Sequence, residues 1–343
     1  MQIRLLGPMQ VWHSGEPLAL GGPKQRAVLA MLALNANRPV SQDALLGGLW
    51  GERASAGAVN AVQVYISRFR KEFDRVAPDG EDAELQRRGL GYVLLIKPDQ
   101  IDLDRFEELA DSGSRQVVSA PRSAAAALRE ALDLWRGRAL AEFAGMPFAE
   151  PEIARLAQLH LVTVVARIDA DLALGRHADL LAELELLAAS HPLDERLHRR
   201  LILALYRAGR QADALHAYQR IRVRLTAELG RGPESTLRTL EQAVLAHDRR
   251  LDWRQVPDAR PRMPAQPVPG RTPGTSRRAI RTSPAGHRFC RPSPNDSPAV
   301  STPWSFRRCT AWAGSARPNW PSSSPTGTPT GTGWSGGSTP KSR

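Results

Sequence analysis

The sequence predicts a mainly α-helical protein in three parts: an α+β domain over residues 1–97, an all-α domain over 98–250 and a disordered tail over 257–343. Three observations predict this division. Strand and helix periodicities alternate in the first part. A 34-residue repeat marks the second. The third is rich in Pro, Ser, Thr, Gly and Arg and has no periodicity.

The first part opens with strands and two helices. Apolar residues around Ile3 and Val11, and again over residues 17–20, predict two strands joined by a turn. Closely spaced apolar residues over 25–35 predict the first helix. Serine is a preferred N-cap residue, so we expect the second helix to begin at Ser41.

A third helix, over residues 57–74, has two contrasting faces. At 100° per residue an apolar stripe gathers on one face, which we expect to pack on the core: Val59, Val62, Ile66, Phe69 and Phe73. The opposite face has no acid before Glu72, and its side chains are of the types that contact base edges and phosphates: Asn60, Gln63, Val64, Ser67, Arg68 and Lys71. An ordinary amphipathic surface helix is the alternative, although such a helix usually mixes both signs of charge.

A β-hairpin is predicted after this helix. Strands over residues 84–87 and 92–96 flank Gly89-Leu90-Gly91, where glycine supplies the positive φ of a tight turn. Arg87 and Arg88 stand near the tip. Three helices, the third cationic on one face, followed by a hairpin that carries arginines, are the layout of a winged helix-turn-helix.

The positive charge of the chain is confined to the tail. The formal net charge is +12, but the residues after Trp253 contain 14 Lys and Arg against two acids, Asp258 and Asp296. Residues 1–252 are therefore neutral overall. A nucleic-acid-binding surface in the first two parts must be a local cationic patch.

The second part contains an internal repeat. The string Gly-Arg-His-Ala-Asp at residues 175–179 returns as Gly-Arg-Gln-Ala-Asp at 209–213, a separation of 34 residues. This is the tetratricopeptide period, with glycine at the turn between two helices. Pro192 and Pro233 each precede a helix but are out of register with that period, so the repeat is imperfect. A generic helical bundle is the alternative.

Several strings resemble one known family. They include Arg-Leu-Leu-Gly-Pro at residues 4–8, Val-Asn-Ala-Val-Gln-Val-Tyr-Ile-Ser-Arg at 59–68, Ile-Asp-Leu-Asp-Arg-Phe at 101–106 and Leu-Trp-Arg-Gly at 134–137. In this order they resemble the Streptomyces antibiotic regulatory protein (SARP) family. Its members join an OmpR/PhoB-type winged helix to a helical bacterial transcriptional activation domain. The resemblance extends over residues 1–250, with a shorter turn than usual at 228–234.

The resemblance implies a transcriptional activator of secondary-metabolite genes. Such an activator binds direct repeats in promoter DNA and self-associates there. It recruits RNA polymerase by contacting the sigma-factor region of the polymerase. It implies that the third helix lies in the major groove and that the hairpin wing lies at the minor groove or backbone. We expect base contacts from Asn60, Gln63, Val64, Ser67 and Arg68. We expect phosphate contacts from Lys24, Arg26, Arg70, Lys71, Arg87, Arg88 and Tyr92. In the link between the second and third helices, Glu52 and Arg53 are the candidates for polymerase contact.

The tail resembles coding DNA translated in the wrong frame. Shifting the codons for residues 309–320 forward by two bases permits His-Gly-Met-Gly-Gly-Ile-Gly-Lys-Thr-Gln-Leu, which contains a phosphate-binding loop. Large SARP members carry a nucleotide-binding domain after the activation domain. The hypothesis is a frameshift between about residues 257 and 290, and resequencing the coding DNA tests it.

Other functions are less well supported. The eight histidines are scattered, and Cys290 and Cys309 alone make neither a disulfide framework nor a zinc site. We therefore expect no enzyme activity and no cofactor. The lack of a long apolar run predicts a cytoplasmic protein without a membrane span. A truncated remnant of a larger SARP-type regulatory ATPase and a repeat-based protein-interaction scaffold remain the alternatives.

Overall fold

A computed structural model of the chain describes residues 1–253 except 54, 56 and 78–82. The tail at 257–343, with the frameshift hypothesis, lies outside the described residues. None of the helices in the described part is both long and apolar enough to span a bilayer.

The N-terminus forms a small antiparallel meander. Its strands are β1 (Gln2–Arg4), β2 (Gln10–His13) and β3 (Glu16–Pro17), with Ile3 opposite Val11. The sequence predicted two strands here; the predicted opening strand is in fact the antiparallel pair β1 and β2, and the strand predicted over 17–20 is the shorter β3. Residues 18–20 leave the sheet, and Leu20 packs into the core.

Three helices and a second sheet follow, in the order of a winged helix-turn-helix. The helices are α1 (Pro23–Leu34), α2 (Gln42–Trp50) and α3 (Ala58–Val76), and the strands are β4 (Val40–Ser41), β5 (Ala83–Arg88) and β6 (Gly91–Ile96). Strand β6 lies between β4 and β5 and is antiparallel to both. The hydroxyl of Ser41 accepts a hydrogen bond from the Ala44 N–H at 3.1 Å, so the predicted N-cap of the second helix is confirmed.

The rest of the described chain is helical. It comprises α4 (Asp102–Gln116), α5 (Pro121–Asp133), α6 (Ala149–Ala173), α7 (Leu181–Ser190), α8 (Glu195–Arg207), α9 (Gln211–Leu229) and α10 (Ser235–Leu245). The repeat glycines Gly175 and Gly209 follow α6 and α8 with φ of +81° and +77°. Two helical hairpins therefore turn at equivalent positions, and the predicted fold class is confirmed.

The hydrophobic core does not divide at the predicted domain boundary. A first cluster of buried residues runs from Met1 to Leu156, and it joins the winged helix to α4 and the beginning of α6. A second cluster runs from Val164 to Val244. The boundary between the two core clusters therefore lies within α6, well beyond residue 97.

Candidate nucleic-acid interface

The inner face of α3 packs on the first core cluster. Val62, Ile66, Phe69 and Phe73 are at most 3% exposed. Val59 is 36% exposed, so its assignment to the buried stripe was wrong. It lies about 60° from Val62 around the helix, at the edge of the stripe, whereas Ala58 in the same turn is buried.

The outer face of α3 is exposed along its length. All six side chains predicted for this face are exposed: Asn60, Gln63, Val64, Ser67, Arg68 and Lys71. No carboxylate among the described residues pairs with Arg68 or Lys71, whereas Arg75 near the end of the helix pairs with Glu72 at 2.9 Å. Carboxamide, hydroxyl and cationic groups on one convex helix face match the donors and acceptors of a DNA major groove.

Arg70 differs from the other cations of α3. Its Nε donates a hydrogen bond to the carbonyl oxygen of Leu85 in β5 at 2.7 Å, and its side chain is half-buried. This bond ties α3 to the hairpin. We therefore assign Arg70 to positioning the helix against the wing.

The wing presents two arginines and a leucine. Arg87 and Arg88 are exposed, and Leu90 at the tip is 85% exposed. Gly89 has φ of +56°, which glycine adopts without strain. A Cβ on Gly91 would lie 2.2 Å from the Val40 carbonyl oxygen, so only glycine permits β4 to approach β6 here.

Tyr92 is buried and does not form part of this surface. It is 5% exposed and belongs to the first core cluster. Its strand, β6, packs against α1, so a face of the second sheet lies on the core. The expected phosphate contact from Tyr92 is corrected to a packing role.

The two cations expected near the start of α1 are placed differently. Lys24 is exposed, and its Nζ lies 4.9 Å from the centroid of the Trp50 ring. Arg26 pairs with Glu142 at 2.5 Å and donates to the Met9 carbonyl oxygen at 3.2 Å. Lys24 is therefore accessible to an anion, whereas Arg26 is held within the protein.

Glu52 and Arg53 lie on the surface in a short 3₁₀ helix, Gly51–Arg53, directly after α2. The preceding helix is anchored by the Phe148 N–H, which donates to the Gly48 carbonyl oxygen at 3.2 Å. A Cβ on Gly48 would lie 2.4 Å from the Met31 side chain, so α2 is closely packed at this point.

A network that the sequence did not reveal joins the winged helix to the helical part; we call it the joint. Asp102 accepts hydrogen bonds from the N–H groups of Leu5 and Leu6 at 2.7 and 3.0 Å. Arg136 lies 3.3 Å from the same carboxylate and donates to the Pro8 carbonyl oxygen at 3.0 Å. Three strings that carried the family resemblance, at residues 4–8, 101–106 and 134–137, meet here. Two further pairs complete the joint: Glu142 accepts from the Met9 N–H at 2.7 Å and binds Arg26.

The charge state of Asp102 reflects opposing influences. Burial raises the pKa of its carboxyl above the ordinary value of 3.8. The N–H groups of Leu5 and Leu6 and the Arg136 guanidinium lower that pKa, but their combined effect is the smaller one. The carboxylate is therefore held by its donors at a cost in desolvation.

No group of three or more His, Cys, Asp or Glu residues in the described part of the chain is arranged to hold a metal ion.

Two family models match the chain along most of its described length. The model described as "Transcriptional regulatory protein, C terminal" matches residues 15–94. The "Bacterial transcriptional activator domain" model matches residues 101–245. The first includes all of α3 and the wing as far as residue 94, and the second spans the helical part.

A relative that is matched over nearly its own full length identifies the family. The Regulatory protein DnrI of Streptomyces peucetius is 38% identical over 258 residues, which are 74% of this chain and 94% of DnrI. The chain belongs to the SARP family. Both family models that the chain matches are named for transcriptional regulation or activation.

Other SARP relatives are longer than the matched region. The Regulatory protein AfsR of Streptomyces coelicolor is 40% identical over 249 residues, 72% of this chain but 24% of AfsR. A solved structure of Mycobacterium tuberculosis EmbR, in complex with a low-affinity phosphopeptide, matches with a TM-score of 0.68 and 38% identity. That match covers 72% of this chain and 65% of the EmbR chain.

Proposed function

We propose that this SARP protein is a sequence-specific DNA-binding activator that reads promoter DNA with the outer face of α3. The observation that carries the proposal is the accessibility of this face. Its polar and cationic side chains are exposed, and no described carboxylate neutralises Arg68 or Lys71. In residues 1–252, where the net charge is zero, such a face is a local feature that attracts phosphate and presents groups to base edges.

The wing extends this surface. Arg87 and Arg88 are exposed beside α3, and Lys24 is exposed at the start of α1. Each contributes a cation that releases a counterion when it binds a phosphate, which makes binding fall with salt. Arg70, Arg26 and Tyr92 are left out of the contact set because their side chains are engaged within the protein.

The test is binding of the full-length chain to fluorescent DNA from the promoters of its own gene neighbourhood, measured by anisotropy at several salt concentrations. Arg68→Ala should weaken binding to the preferred site by about 1–3 kcal/mol if Arg68 contacts guanine. The matched control is Arg199→Ala, which removes the same charge from an exposed position on α8. Binding that shows no sequence preference, or that responds equally to both variants, would overturn the proposal.

We further propose that two copies bind direct repeats head to tail and recruit RNA polymerase through Glu52 and Arg53. The support is the exposure of both side chains on a short helix that packing of α2 holds in place. In transcription with purified polymerase, Glu52→Ala/Arg53→Ala should reduce transcript while leaving the DNA affinity unchanged. Equal amounts of transcript from wild type and variant would show that Glu52 and Arg53 do not contact the polymerase. Templates with one and two repeats test the paired arrangement.

A further inference from the structure

A groove on the helical part has the chemistry of a ligand site and lies far along the chain from the DNA-facing helix. It has a volume of about 1000 Å³ and runs between α7, α8 and α9. Its lining combines apolar, basic and acidic side chains, including Leu201, Val223, His198, Arg220, Arg224 and Glu185.

His198 is the least expected residue in this groove. It is 8% exposed, and neither ring nitrogen has a hydrogen-bond partner of good geometry in the described part of the chain. Buried polar groups in proteins almost always have partners, because an unmade hydrogen bond costs stability. The Pro192 carbonyl lies near enough to raise the pKa of His198, but burial is the larger influence and lowers it. A neutral ring has one N–H, and an anion in the groove competes with the Pro192 carbonyl for it.

Two cations stand close to this histidine. Arg220 and Arg224, both on α9, are near enough to disfavour its protonation electrostatically. Arg224 pairs with Glu228 at 3.3 Å. Arg220 is exposed and has no ion-pair partner among the residues that the structure describes. It is the guanidinium of this groove that remains available for an incoming anion.

The walls of the groove are partly apolar. Leu201 and Ile221 are buried at its base, and Val223 on α9 is 62% exposed. An apolar surface with a few convergent polar groups is the usual composition of a small-molecule site, and the volume lies at the upper end of the range for such sites.

We propose that this groove binds a small organic anion with an apolar body, a carboxylate or sulfonate, whose charged group lies against Arg220 and the N–H of His198. The apolar body lies against Leu201 and Val223. The site is distinct from the DNA-facing face of α3, and it gives the helical part a place at which a metabolite is bound. The unsatisfied polarity of His198 favours a compact ligand, because a single acceptor atom has to reach a nearly buried nitrogen.

The test uses 8-anilinonaphthalene-1-sulfonate, a fluorescent dye that carries a sulfonate on an aromatic body. Titrated into the full-length chain at neutral pH, it should bind saturably with one site per chain. Arg220→Ala should weaken binding by about tenfold or more, as expected for loss of a charge-assisted contact. Arg222→Ala is the matched control, because it removes an exposed arginine two residues along α9 that does not line the groove. It should leave the affinity unchanged.

His198→Leu separates a ligand role from a structural one. Leucine needs no hydrogen bond, so the melting temperature should stay the same or rise while dye affinity falls. A lower melting temperature with unchanged dye affinity would assign His198 to structure and overturn the proposal.

Competition identifies the chemistry. Decanoate should displace the dye and decylamine should not. The proposal fails if Arg220→Ala and Arg222→Ala bind the dye equally, because the dye then binds elsewhere. It also fails if decylamine displaces as well as decanoate, or if an acidic peptide displaces the dye where decanoate does not, which would point to a protein partner. None of these measurements involves DNA, so their failure leaves the proposed function untouched.

Discussion

The outer face of α3 and the joint use the same kinds of polar side chain in opposite ways. On α3, Arg68 and Lys71 are exposed, and no described carboxylate pairs with them. At the joint, Asp102 binds two backbone N–H groups and Arg136, and Glu142 binds Arg26 and the Met9 N–H. A polar group that is satisfied within the protein holds geometry, whereas one left to solvent is available to an outside partner.

The two regions should also respond differently to the removal of a side chain. Removing a side chain from the joint leaves partners without their hydrogen bonds, so stability falls. Removing one from the outer face of α3 leaves only solvent behind, so stability stays and binding falls. Variants in the two regions should therefore differ, and the largest effect is expected at the joint.

Asp102→Ala should destabilise the fold by about 3–5 kcal/mol, because it leaves two N–H groups without their acceptor and Arg136 without its carboxylate. Urea unfolding followed by circular dichroism measures the change. Asp99→Ala, an exposed position in the preceding turn, is the control and should shift stability by less than about 0.5 kcal/mol. Equal effects of the two variants would show that the joint contributes nothing beyond an ordinary surface.

Arg70→Ala and Lys71→Ala test two neighbouring cations of equal charge. The Arg70 variant should lose about 1.5–3 kcal/mol of stability, since its charged group bonds the Leu85 carbonyl. The Lys71 variant should unfold like wild type and lower the slope of log affinity against log salt by about 0.9. The assignment of Arg70 to positioning is wrong if both variants change the salt slope alike and neither changes the unfolding midpoint.

Asn60→Ala should relax the preference for one base pair, at a cost of about 1–3 kcal/mol on the preferred site, if Asn60 pairs bidentately with adenine. Its stability should match wild type, because Asn60 is exposed in the first turn of α3. Binding to a panel of sites with single base changes measures the effect. A uniform loss of affinity across the panel would indicate that Asn60 contacts phosphates and not a base.

The smallest expected effect is a pH dependence near the joint. His160 packs edge-on against Trp135 at 4.6 Å between ring centroids, and burial lowers the pKa of His160 below 6.5. As pH falls through 6.5, the unfolded chain takes up a proton that the folded chain resists, so folding stability is lost below that pH.

His160→Phe should therefore reduce the loss of stability between about pH 7 and pH 5. Urea unfolding at both values measures it. Burial also lowers the pKa of His177 and His198, so part of the loss should remain. An identical loss in variant and wild type would exclude His160 as a contributor.

Local patterns sufficed where a residue's environment follows from its own helix or turn. The N-cap at Ser41, the inner face of α3 at Val62, Ile66 and Phe69, and the turn at Gly89 are all as predicted. The wrong predictions concern residues whose burial depends on elements that are distant in the sequence. Val59 is exposed because it lies at the edge of the apolar stripe, and Tyr92 is buried because its strand packs against α1 in the first core cluster.

By itself, then, the sequence determined the order of the helices and strands, the two faces of α3, the repeat at Gly175 and Gly209, and membership of the family. Each rests on periodicity or on short strings, which neighbouring residues encode. Only the tertiary structure decided that Arg26 and Arg70 are internal contacts, that Asp102 and Arg136 join the two parts, and that His198 is nearly buried in a groove. The contacts of these arginines and of Asp102 join residues that are 15 to 128 positions apart in the chain, a distance over which no local pattern carries information.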